Sequence, residues 1–277
     1  MKQIPRIGWT AALALLALPA FLALPGLVLA QKTPTPQEIA AQYQKAFYYP
    51  GKDMKTVVSM RLVEGGGKER TRELTLLRKN TEGSEDQKYF IFFHQPADVE
   101  GMTFLVYKYP QKDDDRWLFM PALDLVKKIA ANDKRSSFVG SDFTYEDVSG
   151  RDLSEDDFSV LKEEKVGEKD CYLLKSVPKN PKSADYGHKL AWIDKATFLP
   201  LKEEYYDLRG GLYKIFTAEE VQEVAGVPTI VKRKMENTKN KHQTTVVYGQ
   251  MEYNLGLEAD LFTERFLKRP PAKWIKR

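Results

Sequence analysis

The residues able to do chemistry are few and scattered. Three histidines, His94, His188 and His242, lie far apart with no HxH or HxxxH pair, so nothing in their spacing offers two ligands to one metal ion. Cys171, the single cysteine, sits in the apolar run Cys171-Tyr172-Leu173-Leu174 with no histidine near it in sequence. Those are the surroundings of a buried, inert thiol, and one cysteine forbids an intramolecular disulfide. Gly140-Ser141-Asp142 lacks the flanking glycine of a nucleophile elbow, and Ser141 reads instead as the cap of a short helix. Gly65-Gly66-Gly67-Lys68 is followed by Glu69 where a phosphate-binding loop needs Ser or Thr, which leaves a hairpin turn. Asp113-Asp114-Asp115 and Glu155-Asp156-Asp157 lack the alternating ligands of a calcium loop and read as solvated turns. Dispersed acids such as Asp147 and Glu203 stay open as a carboxylate pair that only folding could assemble.

With no catalytic set in view, the bulk properties narrow the class. The 277 residues are 42% hydrophobic, 12% aromatic and 30% charged, with a formal net charge of +4. A chain of that composition packs into one or two domains and carries too little excess charge to indicate nucleic acid binding. Lys2 and Arg6 precede an apolar stretch from Trp9 to Leu29 that ends in Val28-Leu29-Ala30. Pro19, Pro25 and Gly26 interrupt that stretch, so it reads as a secretory signal cleaved after Ala30 rather than a retained anchor. The residue immediately after the cleavage point is Gln31 and not a cysteine, so lipid attachment at an N-terminal cysteine is not expected. The expected product is an exported chain of residues 31–277 forming one domain.

The elements follow from periodicity. Thr35-Pro36-Gln37-Glu38 is a capping box, and Ile39, Ala40, Tyr43, Ala46 and Phe47 fall at helical spacing up to about Tyr48, where Tyr49-Pro50-Gly51 ends the helix. Thereafter the sequence predicts strands over residues 54–63, 70–78, 88–94, 102–109, 116–120, 125–130, 158–165, 171–177, 189–194, 201–206, 213–219, 229–236 and 244–253, then a closing helix over 261–267. Short turns throughout indicate an antiparallel up-and-down meander in a single large sheet. Residues 131–155, containing SSFVGSDFTYED, form the one long stretch without alternation and are expected to be a loop with short helices.

Alternation also predicts which faces are wet. Residues 229–236 place Thr229, Val231, Arg233 and Met235 on one phase and Ile230, Lys232, Lys234 and Glu236 on a solvated one. Residues 88–94 are apolar on both phases, with Tyr89, Ile91 and Phe93 opposite Phe90 and Phe92. Residues 102–109 behave likewise, so these strands are covered on both faces or line an apolar cavity.

The segment from Phe92 to Asp147 carries three signals in order: the Pro96 and Gly101 turn, Trp117-Leu118-Phe119-Met120-Pro121, and Ser137-Phe138-Val139-Gly140-Ser141-Asp142-Phe143 followed by Tyr145-Glu146-Asp147. Together they resemble the LolA-like family of outer membrane lipoprotein-sorting proteins, in the periplasmic branch associated with RND-type exporters. The resemblance implies an incomplete, half β-barrel, apolar on its concave face and covered there by the N-terminal helix and short helices. It also implies a non-enzymatic periplasmic carrier without cofactors. Such a carrier binds the acyl chains of a lipoprotein or lipid and passes them from an inner-membrane RND-type exporter toward an outer-membrane acceptor.

On that reading Phe90, Phe92, Phe104, Tyr107, Trp117 and Phe119 surround the lipid-binding pocket, and Phe138, Phe143 and Tyr145 form part of its cover. Pro96, Gly101, Pro121, Gly140, Ser141 and Asp142 are turn-forming residues. No arginine stands out in the sequence as a latch for the lid. Two other classes remain open: a non-catalytic subunit docking on an envelope transport complex, and an exported hydrolase using a dispersed carboxylate pair.

Overall fold

The computed structural model describes residues 33–275, together with Met1 and Gln3. Apart from those two positions, the expected signal of residues 1–30 and its cleavage point lie outside the described residues. Helix α1, Pro36–Tyr48, begins as its capping box requires. The Thr35 hydroxyl accepts from the Glu38 N–H at 3.2 Å and the Glu38 carboxylate accepts from the Thr35 N–H at 2.7 Å. Its buried residues Ile39, Ala40 and Tyr43 lie on Tyr172, Leu174, Ala191 and Ile193.

Among the described residues, thirteen strands form one antiparallel sheet: β1 Asp53–Val63, β2 Glu69–Asn80, β3 Gln87–Gln95, β4 Thr103–Lys108, β5 Asp115–Met120, β6 Leu125–Ile129, β7 Asp156–Val166, β8 Lys169–Pro178, β9 His188–Asp194, β10 Pro200–Tyr206, β11 Leu212–Val224, β12 Val227–Asn237 and β13 His242–Tyr253. Every expected strand is present. Their order differs from a single meander, running β6-β5-β4-β3-β2-β1-β13-β12-β11-β10-β9-β8-β7. The chain therefore enters at the centre, meanders to one edge, crosses to the other and returns. Its first and last strands pair along a central seam from Met54↔Tyr253 to Val63↔Gln243. Edges β6 and β7 do not pair, so the sheet stays open.

The crossing segment, residues 130–155, explains the order. It contains a 3₁₀ turn at Ala131–Arg135, helix α2 at Tyr145–Ser149 and a second 3₁₀ turn at Leu153–Glu155. Phe138 lies 5.5 Å from the Phe104 ring on β4, while Phe143 lies 5.0 Å from the Arg233 guanidinium on β12. The backbones of Phe138 and Phe143 are joined by an N–H to carbonyl bond of 2.8 Å. Five strand spacings separate β4 from β12, about 24 Å in a flat sheet. The crossing segment thus packs against strands on both halves of the sheet.

Strand parity then divides the apolar residues between two faces. The inner face carries Met60, Leu76, Ile91, Phe93, Phe104 and their neighbours under α1 and the crossing segment. On the outer face, Leu77, Phe90, Leu105, Trp117 and Phe119 are covered by Leu257, Leu261, Phe262 and Leu267 of the C-terminal segment. Strands β3 and β4 are thus apolar on both phases because both faces are roofed. The expected closing helix is instead a 3₁₀ turn at Ala259–Leu261, then helices α3 (Arg265–Lys268) and α4 (Ala272–Ile275). Leu261 and Phe262 are both buried against the sheet, and Pro270-Pro271 separates α3 from α4. The wet phase expected on β12 is also interrupted. Register shifts between Ala218 and Val221 of β11 bring Ile230 into the inner core with Met235, while Lys232, Lys234 and Glu236 keep the expected phase.

Candidate lipid-binding site

The inner face is roofed by two elements that meet over the central strands. Within the crossing segment, Ser137 and Thr144 bridge a tight loop in which Val139 and Gly140 take positive φ values of 46° and 78°. Asp142 ties that loop to β13. Its carboxylate accepts from the Thr244 hydroxyl at 2.7 Å and lies 2.6 Å from His242 Nδ1, and its N–H donates to Thr244 Oγ1 at 3.0 Å. Ser141 accepts from the Phe143 N–H at 3.2 Å inside the turn and does not cap the helix as expected. Thr144 does so, because the T-x-x-D box there satisfies the α2 N-terminus in both directions.

The nine aromatic residues read from the sequence fall on opposite sides of the sheet. Phe104, Phe138 and Tyr145 form one cluster on the inner face, with ring centroids 5.1–5.6 Å apart, and Phe143 packs in the same core. Phe90, Trp117 and Phe119 are buried on the outer face beneath the C-terminal segment, with Phe92 and Tyr107 packed against them. The Tyr107 hydroxyl donates to the Phe262 carbonyl at 2.6 Å. The division follows from the two-residue strand period: Phe104 shares its phase with Val106, whereas Leu105 and Tyr107 point the other way. A common pocket therefore does not form around all nine.

The inner face brings Phe138 and Phe143 together with residues the sequence reading did not select. An apolar cavity of about 30 Å³ is lined by Met60, Leu76, Phe138, Phe143, Val148 and Arg233 among others. A second, of about 80 Å³, continues toward α1 and is lined by Phe47, Leu76, Arg78, Arg233, Tyr248 and Met251. Arg78 is 2% exposed and holds the end of α1. Its guanidinium donates to the carbonyls of Tyr48 at 2.5 Å, of Pro50, and of Gly51 at 3.5 Å. Burial pulls that guanidinium below its usual pKa. Arg233 lies between the two roofing elements, 5.4 Å from the Phe47 ring of α1, 5.0 Å from Phe143 of the crossing segment and 5.0 Å from Tyr248. Both arginines were visible as cations on a buried strand phase, Arg78 with Leu74 and Leu76 and Arg233 with Met235.

The carboxylates considered as a catalytic pair are each held by cations. Glu203 accepts from the Tyr43 hydroxyl at 2.9 Å, from Lys189 at 2.9 Å and from the Tyr205 hydroxyl at 2.7 Å. Burial disfavours the Lys189 ammonium, but Glu203, Tyr186 and Tyr48 together outweigh it and raise Lys189 above its usual pKa. Asp147 pairs with Lys214 at 2.7 Å and caps α2. Burial alone would raise the Asp147 pKa; Lys214 and the Thr144 hydrogen bonds reverse that and hold it below the usual carboxylate value. A carboxylate so held is a poor proton donor near neutral pH.

Comparison with other proteins agrees with this architecture. A family profile described as an uncharacterized protein matches residues 85–269. The crystal structure of a DUF1329 family protein from Desulfovibrio piger superposes with a TM-score of 0.78 at 29% identity, covering 84% of this chain and 100% of the other. A domain from Vibrio parahaemolyticus, assigned to outer membrane lipoprotein sorting, gives 0.78 at 31% identity over 84% of this chain and 98% of its own. A LolA superfamily protein from Nitrosomonas europaea shares the fold, with a TM-score of 0.66 at 20% identity over 84% and 100%. Comparison with curated proteins gave no match. The open antiparallel sheet, its roofed inner face and these relatives together make the chain a member of the LolA-like family of outer membrane lipoprotein-sorting proteins.

Proposed function

We propose that the protein is a periplasmic carrier that binds the acyl chains of a lipoprotein or lipid between the inner face of its sheet and the roof formed by α1 and the crossing segment. The observation that carries this reading is the pair of adjoining apolar cavities at the seam of the two roofing elements, in a chain whose relatives include a lipoprotein-sorting domain. Burying one CH₂ is worth about 0.8 kcal/mol, so two chains of roughly fifteen carbons represent on the order of 20 kcal/mol to be retained outside a bilayer. The cavities of about 30 and 80 Å³ are well short of the ~300–1,000 Å³ typical of ligand sites, so binding requires the roof to lift. Carriage makes and breaks no covalent bond. An energised inner-membrane RND-type exporter is the proposed donor, and an outer-membrane component that binds the cargo better is the proposed acceptor.

The small cavities also favour a second reading, a non-catalytic subunit that docks on an envelope transport complex with its core filled. Native mass spectrometry with lipid extraction of protein purified from its own periplasm separates the two. A stoichiometric acylated species is the expected result. Protein that is repeatedly empty and takes up no fluorescent fatty acid supports the docking subunit instead.

A further inference from the structure

The charges beneath the roof are unevenly matched. Under α1 and beside β7–β11, each buried cation has its acid: Lys189 with Glu203, Lys214 with Asp147, and Arg151 with Glu146, Glu155 and Asp156. The linings of the two apolar cavities contain Arg78 and Arg233 but no aspartate or glutamate. Arg78 is occupied by the carbonyls at the end of α1. Arg233 forms no ion pair among the described residues; it is half-buried, its Nε has no hydrogen-bond partner, its guanidinium lies against the rings of Phe47, Phe143 and Tyr248, and it hydrogen-bonds Tyr248.

An arginine stays charged in a protein, and a cation among apolar groups is unfavourable unless an anion meets it. Cation–π contacts offset only part of that desolvation. A methionine of similar length would fill the slot between Phe47 and Phe143 without a charge to desolvate. The guanidinium is also placed where an anion can arrive, at the junction of α1 and the crossing segment, and it lines both cavities. Its planar fork suits the two oxygens of a carboxylate or phosphate.

We infer that the cargo is an acyl amphiphile with an anionic head, a carboxylate or a phosphate, which Arg233 receives while the chain takes the place of roof side chains on the inner face. This rests on the carrier reading and narrows it, since the diacylglyceryl anchor of a lipoprotein has no such charge. Selection of an anionic over a neutral head is the property that distinguishes it from carriage of any apolar chain.

The test compares three probes of equal chain length on delipidated, full-length exported protein: palmitate, 1-palmitoyl lysophosphatidate and neutral monopalmitoylglycerol, each titrated below its micelle concentration. At least one anionic probe is expected to bind tenfold or more tightly than the neutral one, and whichever anion binds better names the head. Arg233→Met is expected to abolish that preference while monopalmitoylglycerol binding is retained, and Arg233→Lys to keep part of it. Should Arg233→Met fail to fold, the wild-type comparison and Arg233→Lys still decide. Equal binding of charged and neutral probes to the wild type, or a preference unchanged in Arg233→Met, overturns the inference and leaves the carrier reading standing. Binding of none of the three overturns the carrier reading as well.

Discussion

At the scale of single residues, Trp117 shows how strand parity decides a role. It is 9% exposed, lies edge-on to Tyr107 at 5.1 Å and is roofed by the C-terminal segment, away from the inner cavities. Trp117→Ala is therefore expected to lower stability by about 3–5 kcal/mol, the range for emptying a large aromatic site. The fraction that remains folded should bind acyl probes as the wild type does. Denaturant unfolding alongside probe titration checks both halves; weakened binding without lost stability would return Trp117 to the lining. The aromatic types were legible in the sequence, and so was their phase along each strand. Which phase faces the cavity was not, because on β3–β5 both phases are apolar and the element covering the outer face comes more than 130 residues later. Arg78 and Arg233 were the sharper signals, since a cation alternating with leucines or methionine needs a reason that an aromatic does not.

At the scale of elements, the start of α1 was read from its T-x-x-E box, whereas the T-x-x-D box that opens α2 was passed over for Ser141. Docking of α2 depends on a distant partner, Lys214 of β11, which no local pattern announces. That contact gives a pH dependence with a definite sign. The Asp147 pKa is depressed in the folded state, so its contribution is present above the ordinary carboxylate value near 3.9 and is lost as pH falls through the folded value. Asp147→Asn leaves the largely buried Lys214 without its counterion and is expected to cost roughly 3 kcal/mol at pH 7. The gap between variant and wild type should narrow steadily below about pH 4. Melting temperatures of both proteins across pH 2.5–7 test this, and a constant gap would mean that the pair is not what holds α2. Helix α1 is held from its other end by Arg78. Arg78→Met should speed hydrogen exchange in the last turn of α1 with little change in the strands of the central seam, where a general loss of stability would raise both.

At the scale of the whole chain, periodicity identified thirteen strands but not which strands are neighbours. Pairing β1 with β13 joins residues about 200 positions apart, and hydrophobic alternation carries no record of partner choice. The hint lay in the one long stretch without alternation, residues 131–155, which is long enough to cross from one edge of the sheet to the other. The C-terminal segment is likewise fixed from the far end of the sequence. The Asp53 carboxylate, 1% exposed at the start of β1, accepts from the N–H groups of Leu255 and Leu257 at 2.6 and 2.7 Å. Those two bonds start the segment across the outer face, where Leu261, Phe262 and Leu267 bury Phe90, Leu105 and Phe119. Hydrogen bonds to a charged group are worth about 1.5–3 kcal/mol each, so Asp53→Ala should lower stability by roughly 3 kcal/mol. Removing residues 255–277 goes further, because it uncovers a contiguous apolar face of the kind that drives association. The truncated protein is expected to aggregate or bind a hydrophobic dye strongly, whereas Asp53→Ala stays monomeric with a lowered melting temperature. Since the described residues of the segment pack on the outer face, Asp53→Ala should leave acyl-probe affinity unchanged. A parallel loss of affinity would show that the two faces act as one unit, with the outer cover setting the curvature that the inner site needs.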